Sequence, residues 1–226
     1  MVPPDIPRLL ARCRFLDGVP DEARARLAAI ARPMRYAEGA MLFRRGDPGE
    51  GMVLVTDGVV RLSLVSAAGK ELTLGLIGAG EPVGEIALVD GGPRSADASA
   101  LTPVAALMLR HTEADTIIAA HPAMARALLR TLAARLRRTT DQVESVGLQP
   151  LAQRVAGALL KLASADASGL VRLPQGQIAT LVAASRPKVN GVLADFRTRG
   201  LVAPARAGLR IVDAAALGRV AVEEGG

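Results

Sequence analysis

The sequence predicts an α+β protein in which a β-rich N-terminal unit, a long central helix and a small C-terminal domain follow one another. Three observations predict this order. Short apolar runs between glycine-rich turns fill residues 35–110, turn signals stop from 113 to 146, and a break at 147–150 opens a segment of short helices. With 226 residues, 50% of them hydrophobic, the chain is long enough for two domains.

The β-rich unit is predicted mainly from its turns. After about 35 residues of helical pattern that end at Pro33, the runs MLF, MVLV, VVRLSLV and LTLGLI alternate with GDPGEG, DG, AAGKE, GAGEP and DGGP. Asp57 and Gly58 are expected to form a tight turn, where glycine supplies the positive φ that a hairpin needs. Residues 35–110 are therefore predicted to form one β-meander or barrel.

A long helix is predicted for residues 113–146, with one proline, Pro122, near its start. Its apolar side chains recur at alternating spacings of three and four, which are the a and d positions of a coiled coil of about two to three heptads. An amphipathic helix lying on its own domain would show the same pattern, so both interpretations stay open. The seam consists of Leu129, Leu132, Leu136, Thr139, Val143 and Val146.

The C-terminal segment is predicted to be a separate domain. Gly147 and Pro150 break the long helix and are expected to form a hinge before residues 151–226. The pattern then runs helix, turn, helix and a short hairpin around Gly208, which is the order of a winged helix-turn-helix. Ala183 stands where such turns usually have glycine, which indicates an altered turn.

Positive charge is concentrated in this C-terminal segment. Residues 1–150 carry 18 Lys and Arg against 17 Asp and Glu, whereas residues 151–226 carry 10 against 5. A small basic domain is typical of a protein that binds a phosphate backbone, although a solvated basic face gives the same count.

Several classes of protein are excluded or disfavoured by composition. The chain has one cysteine, Cys13, which rules out an internal disulfide and any site of several thiolates and is expected to be a buried packing residue. No apolar run is long enough to span a membrane, and the N-terminus lacks the apolar region of a signal peptide, so we expect a cytoplasmic protein without membrane contact. His111 and His121 have no paired acid or nucleophile at a motif spacing, so neither an enzyme nor a metal site is expected.

The most specific stretch of the sequence is GEIALVDGGPRSA at residues 84–96. It predicts a site for a cyclic phosphate diester, because a short helical turn favours an anion at its start and the fork of donors on Arg94 fits two phosphate oxygens. Ser95 adds a hydroxyl and a backbone amide. Glu85 would be repelled by a phosphate unless it accepts a hydrogen bond from a ribose hydroxyl. A plain ion pair between Glu85 and Arg94 is the alternative.

This stretch resembles the phosphate-binding cassette of cyclic-nucleotide-binding domains, and nearly the whole chain resembles the cyclic-AMP-receptor-like regulators of the CRP/FNR superfamily. The resemblance implies a β-roll (a double-stranded β-helix or jelly roll) within residues 1–112, a dimerisation helix over 113–146, a hinge at 147–150 and a winged helix-turn-helix over 151–226. It implies cyclic AMP as the ligand and no metal. The residues expected at the nucleotide are Gly84, Glu85, Ile86, Ala87, Arg94, Ser95, Arg135, Thr139 and Thr140.

The two threonines are expected to read the base. In the family, a pair of hydroxyl residues on the dimer helix contacts the adenine amino group, and Thr139 and Thr140 occupy those positions in ARLRRTTDQV. A threonine that sets coiled-coil register, or one bonded to its own helix, is the alternative for Thr139. On the ligand interpretation, Thr139 contacts the nucleotide of its own subunit and Thr140 that of the partner subunit.

The resemblance places DNA recognition on the helix that begins near Ser185. The family often reads Ser-Arg-Glu there, followed by a second arginine, whereas this chain reads SRPKVNG, so Pro187 and Gly191 replace the glutamate and the later arginine. The family's operator is therefore not carried over. The expected DNA-binding residues are Ser185, Arg186, Lys188 and Asn190, of which Arg186 can pair with a guanine.

Taken together, the resemblance implies a homodimeric transcription regulator that binds a pseudo-palindromic site on double-stranded DNA and contacts RNA polymerase. Cyclic AMP would bias the arrangement of the DNA-binding domains. Two rival interpretations stay open. The first is a DNA-binding regulator that needs no ligand or responds to cyclic GMP or a cyclic dinucleotide. The second is a nucleotide-binding module whose basic domain contacts a protein partner or a membrane surface.

Overall fold

The structure is a computed structural model that describes residues 4–67, 69, 71–165, 169–206 and 208–222. It divides into two compact units, one made of Met1–Ala68 and Leu74–Thr139 and the other of Gly69–Thr73 and Thr140–Gly226. From the N-terminus, the elements are α1 (Ile6–Ala11), a 3-10 turn (Arg14–Leu16), α2 (Asp21–Ile30), β1 (Arg32–Tyr36), β2 (Met41–Phe43), β3 (Gly51–Asp57), β4 (Val60–Val65), β5 (Glu71–Ile77), β6 (Pro82–Val83), α3 (Glu85–Asp90), β7 (Asp97–Ala100), β8 (Val104–Arg110) and α4 (His111–Ala120). They continue with α5 (Pro122–Leu148), α6 (Leu151–Ala165), β9 (Leu170–Val171), α7 (Gln175–Leu181), α8 (Arg186–Thr198), β10 (Val202–Ala205), β11 (Gly208–Ile211) and α9 (Ala214–Val222).

The predicted β-rich unit consists of two four-stranded sheets. Their strand orders are β1-β8-β3-β6 and β2-β7-β4-β5, and the pairs β1–β8, β3–β8, β3–β6, β2–β7 and β4–β7 are antiparallel. Alternate residues of the strands form a buried core, as the two-residue period of a strand requires: Val53 with Val55, Ala98 with Ala100, and Val104 with Ala106. The prediction of an α+β protein with an N-terminal β-roll is confirmed.

The β unit begins earlier than the sequence pattern predicted. Pro33 does not end the preceding helix, because α2 already ends at Ile30 and Pro33 lies inside β1. Strand β1 is at the edge of its sheet. A proline is tolerated there, because an N–H group that faces solvent is not needed for hydrogen bonds between strands.

A second core joins the helices of this unit to the sheet. Leu16 and Leu27 pack with Leu54 of β3, Leu109 of β8 and Met124 at the start of α5, and all five are at most 1% exposed. Helix α5 therefore begins on the body of the β-roll.

The helix predicted over 113–146 is two helices in the structure. Helix α4 ends at Ala120 and α5 begins at Pro122, because proline lacks an N–H group and disfavours helical torsions in the residue before it. His121 accordingly has φ −129° and ψ 93°. At the other end, Gly147 stays inside α5, which ends at Leu148. The candidate dimer helix is thus 122–148.

The C-terminal unit has the predicted order of a winged helix-turn-helix, with two additional elements. Its core contains Ile178 of α7, Leu193 and Phe196 of α8, Leu159 of α6 and Leu217 of α9, each 0% exposed. The additional elements are β9, which pairs with β11, and α9, which packs on α6, and neither was predicted from the sequence. Helix α9 was detectable, because an aspartate precedes its apolar run and accepts a hydrogen bond from the backbone of the first turn.

The turn between α7 and α8 is strained at a single residue. Ala183 has φ 51°, a left-handed conformation in which an alanine Cβ crowds its own backbone. The backbone hydrogen bond from Ala184 N to Ala179 O, 3.0 Å long, holds the turn in this form. Ala183 therefore adopts the left-handed torsion that glycine usually supplies, and it does so at a cost in backbone strain.

Replacing Ala183 with glycine is expected to raise the free energy of unfolding of the C-terminal unit by about 0.5–1 kcal/mol, because strain of about 1–2 kcal/mol is removed and the chain entropy of glycine offsets part of it. Amide hydrogen exchange over α7 and α8 in the full-length protein measures the change. Ala184→Gly is the matched control and should lower protection, since Ala184 has no positive φ to relieve. Unchanged protection from hydrogen exchange in Ala183→Gly would contradict the conclusion that the backbone is strained at Ala183.

Candidate functional site

Helix α3 begins directly after strand β6, at a glycine in the left-handed conformation. Gly84 has φ 81°, and a Cβ built on it would collide with the guanidinium of Arg94. Glycine is therefore needed both for the left-handed torsion and for the space that Arg94 takes. This geometry brings the start of α3 and Arg94 together.

Seven of the predicted nucleotide-binding residues line one pocket, whose space between protein atoms is about 280 Å³ when the open solvent at its mouth is included. Three further lining residues, which were not predicted from the sequence, come from β2, from β4 and from the position just before β7. The predicted ones are Gly84, Glu85, Ile86, Ala87, Arg94, Ser95 and Arg135, and the others are Phe43, Leu62 and Ala96.

Arg94 is buried in this pocket with part of its fork unused. The side chain is 4% exposed, and its Nη1 donates hydrogen bonds to the carbonyl oxygens of Gly51 and Gly84, the latter at 3.0 Å. Its Nε is buried without an acceptor. Burial lowers the pKa of Arg94, while the nearby carboxylates of Glu50 and Asp47 oppose the shift. A desolvated guanidinium with a spare donor is suited to an anion with several oxygens.

Glu85 is fully buried and lacks hydrogen-bond donors. Its Oε1 lies 3.0 Å from Nε of Arg135, but the two groups are not aligned for a hydrogen bond, and neither carboxylate oxygen receives one. Arg135 instead donates from Nη2 to the carbonyl oxygen of Pro82 at 2.6 Å. The ion pair of Glu85 is therefore with Arg135, and the alternative pair with Arg94 is not formed. Since a buried oxygen without a donor costs free energy, a ligand hydroxyl fits this carboxylate.

Burial raises the pKa of Glu85, and the positive charge of Arg135 only partly opposes this effect. The folded protein then favours the protonated carboxyl, so its stabilising contribution is present at low pH and is lost as pH rises through the raised pKa. As pH rises above about 4.3, the ordinary pKa of a glutamate, the parent is expected to lose stability relative to Glu85→Gln. The single tyrosine, Tyr36, lies in this unit, and its fluorescence during urea unfolding reports the change. If the parent instead gained stability relative to Glu85→Gln as pH rises, the charge of Arg135 would outweigh burial in setting the pKa of Glu85.

Thr139 and Thr140 do not line the pocket. Both side chains are exposed in the single chain, and the division between the two units falls between them. Their contact with a base therefore stays a prediction that needs the partner subunit.

The expected DNA-binding residues lie at the start of α8. Ser185 occupies the N-cap position with extended torsions, but its side chain makes no capping hydrogen bond, contrary to the expectation for a serine there. Ser185, Arg186 and Lys188 are exposed, whereas Asn190 is half-buried and its Oδ1 is buried without a donor. Three of the four residues are thus accessible to DNA.

The remaining candidate residues have structural surroundings. Cys13 is buried, and burial raises the pKa of its thiol to about 11. His111 makes a hydrogen bond of 2.9 Å between Nδ1 and the carbonyl oxygen of Leu88. Within the described ranges, no group of three or more His, Cys, Asp or Glu side chains is placed to hold a metal ion, and no helix is long and apolar enough to cross a membrane.

Two family profiles match the chain. The profile of the cyclic nucleotide-binding domain matches residues 33–121, and that of the Crp-like helix-turn-helix domain matches residues 153–220. The first covers nearly all of the β-roll and the pocket residues other than Arg135, and the second covers most of the C-terminal unit.

Similar proteins align with the chain along most of its length. The CRP-like cAMP-activated global transcriptional regulator of Mycobacterium tuberculosis is 34% identical over 201 residues, which are 86% of this chain and 90% of that protein. The cyclic AMP receptor protein of Thermus thermophilus is 33% identical over 202 residues, 89% and 93% of the two chains. The solved structure of the c-di-GMP responsive global regulator CLP of Xanthomonas campestris has a TM-score of 0.78 at 22% identity, covering 86% of this chain and 100% of that one, and shows a likeness of fold.

Proposed function

Because the chain belongs to the CRP/FNR family of transcription regulators, we propose that it is a homodimer whose affinity for DNA is controlled by cyclic AMP bound in the pocket of the β-roll. The coarser function, a DNA-binding transcription regulator with a cyclic-nucleotide-binding domain, follows from family membership. The identity of the nucleotide, the residues that hold it and the allosteric effect are the proposal.

The observation that carries the proposal is the combination of donors and acceptors in one pocket. Arg94 has a buried Nε without an acceptor, and Glu85 has two buried oxygens without a donor. A cyclic nucleotide supplies both missing partners, since its phosphate oxygens accept from Arg94 and its ribose 2′-hydroxyl donates to Glu85. The match explains why two ions of opposite charge line the pocket without pairing with each other.

Cyclic AMP is favoured among the candidate ligands for two reasons. The chain resembles a cAMP-activated regulator and a cyclic AMP receptor protein at 34% and 33% identity. The pocket is lined by two arginines, but Arg135 forms the ion pair with Glu85, so only the fork of Arg94 is left for a phosphate and only one carboxylate for a ribose. A cyclic dinucleotide has two phosphates and would leave one of them without such a partner.

Dimerisation is proposed through α5, whose apolar seam faces solvent in the single chain. Leu129 is 64% exposed and Val143 is 68% exposed, although both occupy predicted core positions of a coiled coil. A second copy of the helix would remove this apolar surface from water. Residues 147–150 are the proposed hinge; the first two form the end of α5, and the last two connect it to α6.

Titration calorimetry of the full-length protein with cyclic AMP, cyclic GMP and c-di-GMP tests the ligand. We expect cyclic AMP to bind most tightly, and Thr139→Val to weaken it and narrow its advantage over cyclic GMP, because the variant keeps the shape of threonine without its hydroxyl. Thr131→Val is the control, since the Thr131 hydroxyl already donates to Ala127 O at 3.1 Å on the same helix. Tightest binding of c-di-GMP would contradict the proposal that cyclic AMP is the ligand. An unchanged preference of Thr139→Val for cyclic AMP over cyclic GMP would contradict the base-reading role.

A further inference from the structure

We propose that Phe43 is a positioning residue for nucleotide binding, whose ring holds the guanidinium of Arg94 in the plane that a cyclic phosphate requires. The inference rests on the proposed nucleotide site and adds a residue that lies outside the cassette. The central carbon of the guanidinium is 4.3 Å from the centroid of the Phe43 ring, which is within the range of a cation–π interaction. Both side chains line the same pocket.

The segment that follows Phe43 also holds the backbone of Arg94. Gly46 N donates to Arg94 O at 2.9 Å, and Arg94 N donates to Asp47 O at 2.9 Å. One stretch of five residues, from Phe43 to Asp47, therefore fixes Arg94 at both ends, with hydrogen bonds at the main chain and an aromatic face at the guanidinium.

The ring supplies a constraint that the hydrogen bonds of the side chain do not supply. Both of these bonds start from the same nitrogen, Nη1, and run to the carbonyl oxygens of Gly51 and Gly84, so they hold one corner of the fork. The face of the Phe43 ring, over the central carbon of the guanidinium, restrains the group from a second direction and leaves the Nε edge for a ligand. Because Arg94 is 4% exposed, the attraction acts in a desolvated site, where cation–π interactions are strongest.

The strand that carries Phe43 is irregular at this point. Met41 pairs with Ser99, but Phe43 pairs with Ala98, so the register of β2 against β7 shifts between the two residues. Such irregularities change the direction of a side chain, and they are common beside functional sites. Phe43 is also one of only four aromatic residues in the chain, three Phe and one Tyr.

Nuclear magnetic resonance of the full-length protein without nucleotide tests the geometry. The Nε–H proton of Arg94, assigned by its loss in Arg94→Lys, should be displaced by the ring current of Phe43. The displacement should disappear in Phe43→Leu and persist in Phe43→Tyr, which keeps the ring. An unshifted Arg94 signal in the parent would overturn the proposal, whether or not any nucleotide binds.

A double-mutant cycle measured by calorimetry tests the consequence for binding. Phe43→Leu should lower the affinity for cyclic AMP by about fivefold to thirtyfold, the range expected for the loss of one desolvated cation–π contact. Phe43→Tyr should bind like the parent. In an Arg94→Ala background, Phe43→Leu should cost less than about twofold, because the partner of the ring is gone.

The control for lost packing is Leu42→Ala. Leu42 packs against the same sheet core as Phe43 but does not line the pocket, so its loss should lower stability and leave affinity unchanged. Equal effects of Phe43→Leu with and without Arg94 would overturn the positioning role. A parent protein that binds no cyclic nucleotide would overturn the proposed function instead, and the resonance of Arg94 would still decide the geometry.

Discussion

Replacing Arg94 with alanine is expected to weaken cyclic-AMP binding by about one to two orders of magnitude. The contact proposed for Arg94 is a charge-assisted hydrogen bond to phosphate, and a bond of this kind contributes about 1.5–3 kcal/mol. The variant also leaves the carbonyl oxygens of Gly51 and Gly84 without their donor, so some loss of stability is expected. Titration calorimetry gives the affinity, and Tyr36 fluorescence shows that the unit remains folded.

Two further variants separate the role of the Arg94 fork from the role of charge. Arg94→Lys keeps the charge but cannot present two parallel donors, and should recover only part of the affinity. Arg45→Ala removes an exposed arginine close to Phe43 that does not line the pocket, and should bind like the parent. Parent-like affinity in Arg94→Ala would remove Arg94 from the site.

Replacing Arg186 with alanine is expected to relax DNA specificity at one position of each half-site by about 1–3 kcal/mol. Arg186 is exposed at the first position of α8, the end of a recognition helix that reaches base edges. Binding of the full-length dimer to a selected duplex and to its single-base-pair variants measures the effect. The selected site should be a pseudo-palindrome with half-sites about one helical turn apart.

Arg197→Ala is the matched control for Arg186, since Arg197 is exposed on the last turn of the same helix. A phosphate contact there should weaken all sequences alike and lower the salt dependence, without changing the preferred base. If Arg186→Ala also weakens every sequence equally, Arg186 contacts only the backbone. Selection of an asymmetric single half-site would contradict a dimer on DNA.

The parts of the site that sequence could predict are those that are contiguous in the chain. Gly84, Glu85, Arg94 and Ser95 fall within one short stretch whose residue types already indicate a phosphate and a ribose. Their convergence on one pocket was predictable, because the short helix α3 and the loop after it bring Arg94 back to the beginning of the stretch at Gly84. Arg135 was expected only from the resemblance, because nothing in the local pattern of α5 distinguishes it from its neighbouring arginines.

Phe43 could not be predicted, because its contact with Arg94 depends on the pairing of β2 with β7 and on a register shift between those strands. Tertiary packing likewise decided the strand β9, whose two residues pair with β11 and show no strand pattern of their own. The division of the predicted long helix at His121 is, in contrast, a local effect of Pro122. This proline was expected near the start of one continuous helix, but it begins a second helix. Ala183 was correctly singled out, and its positive φ gives the physical reason.

The proposed control of DNA binding by cyclic AMP acts through the pocket of the β-roll. The most direct measurement is the affinity of the full-length dimer for its selected duplex with and without saturating cyclic AMP, for the parent and for Arg94→Ala at the same salt concentration. We expect cyclic AMP to change the affinity of the parent by about tenfold to a hundredfold, a typical allosteric coupling. The same concentration should leave Arg94→Ala unaffected. A parent protein that binds cyclic AMP but binds the duplex equally well with and without it would contradict the account.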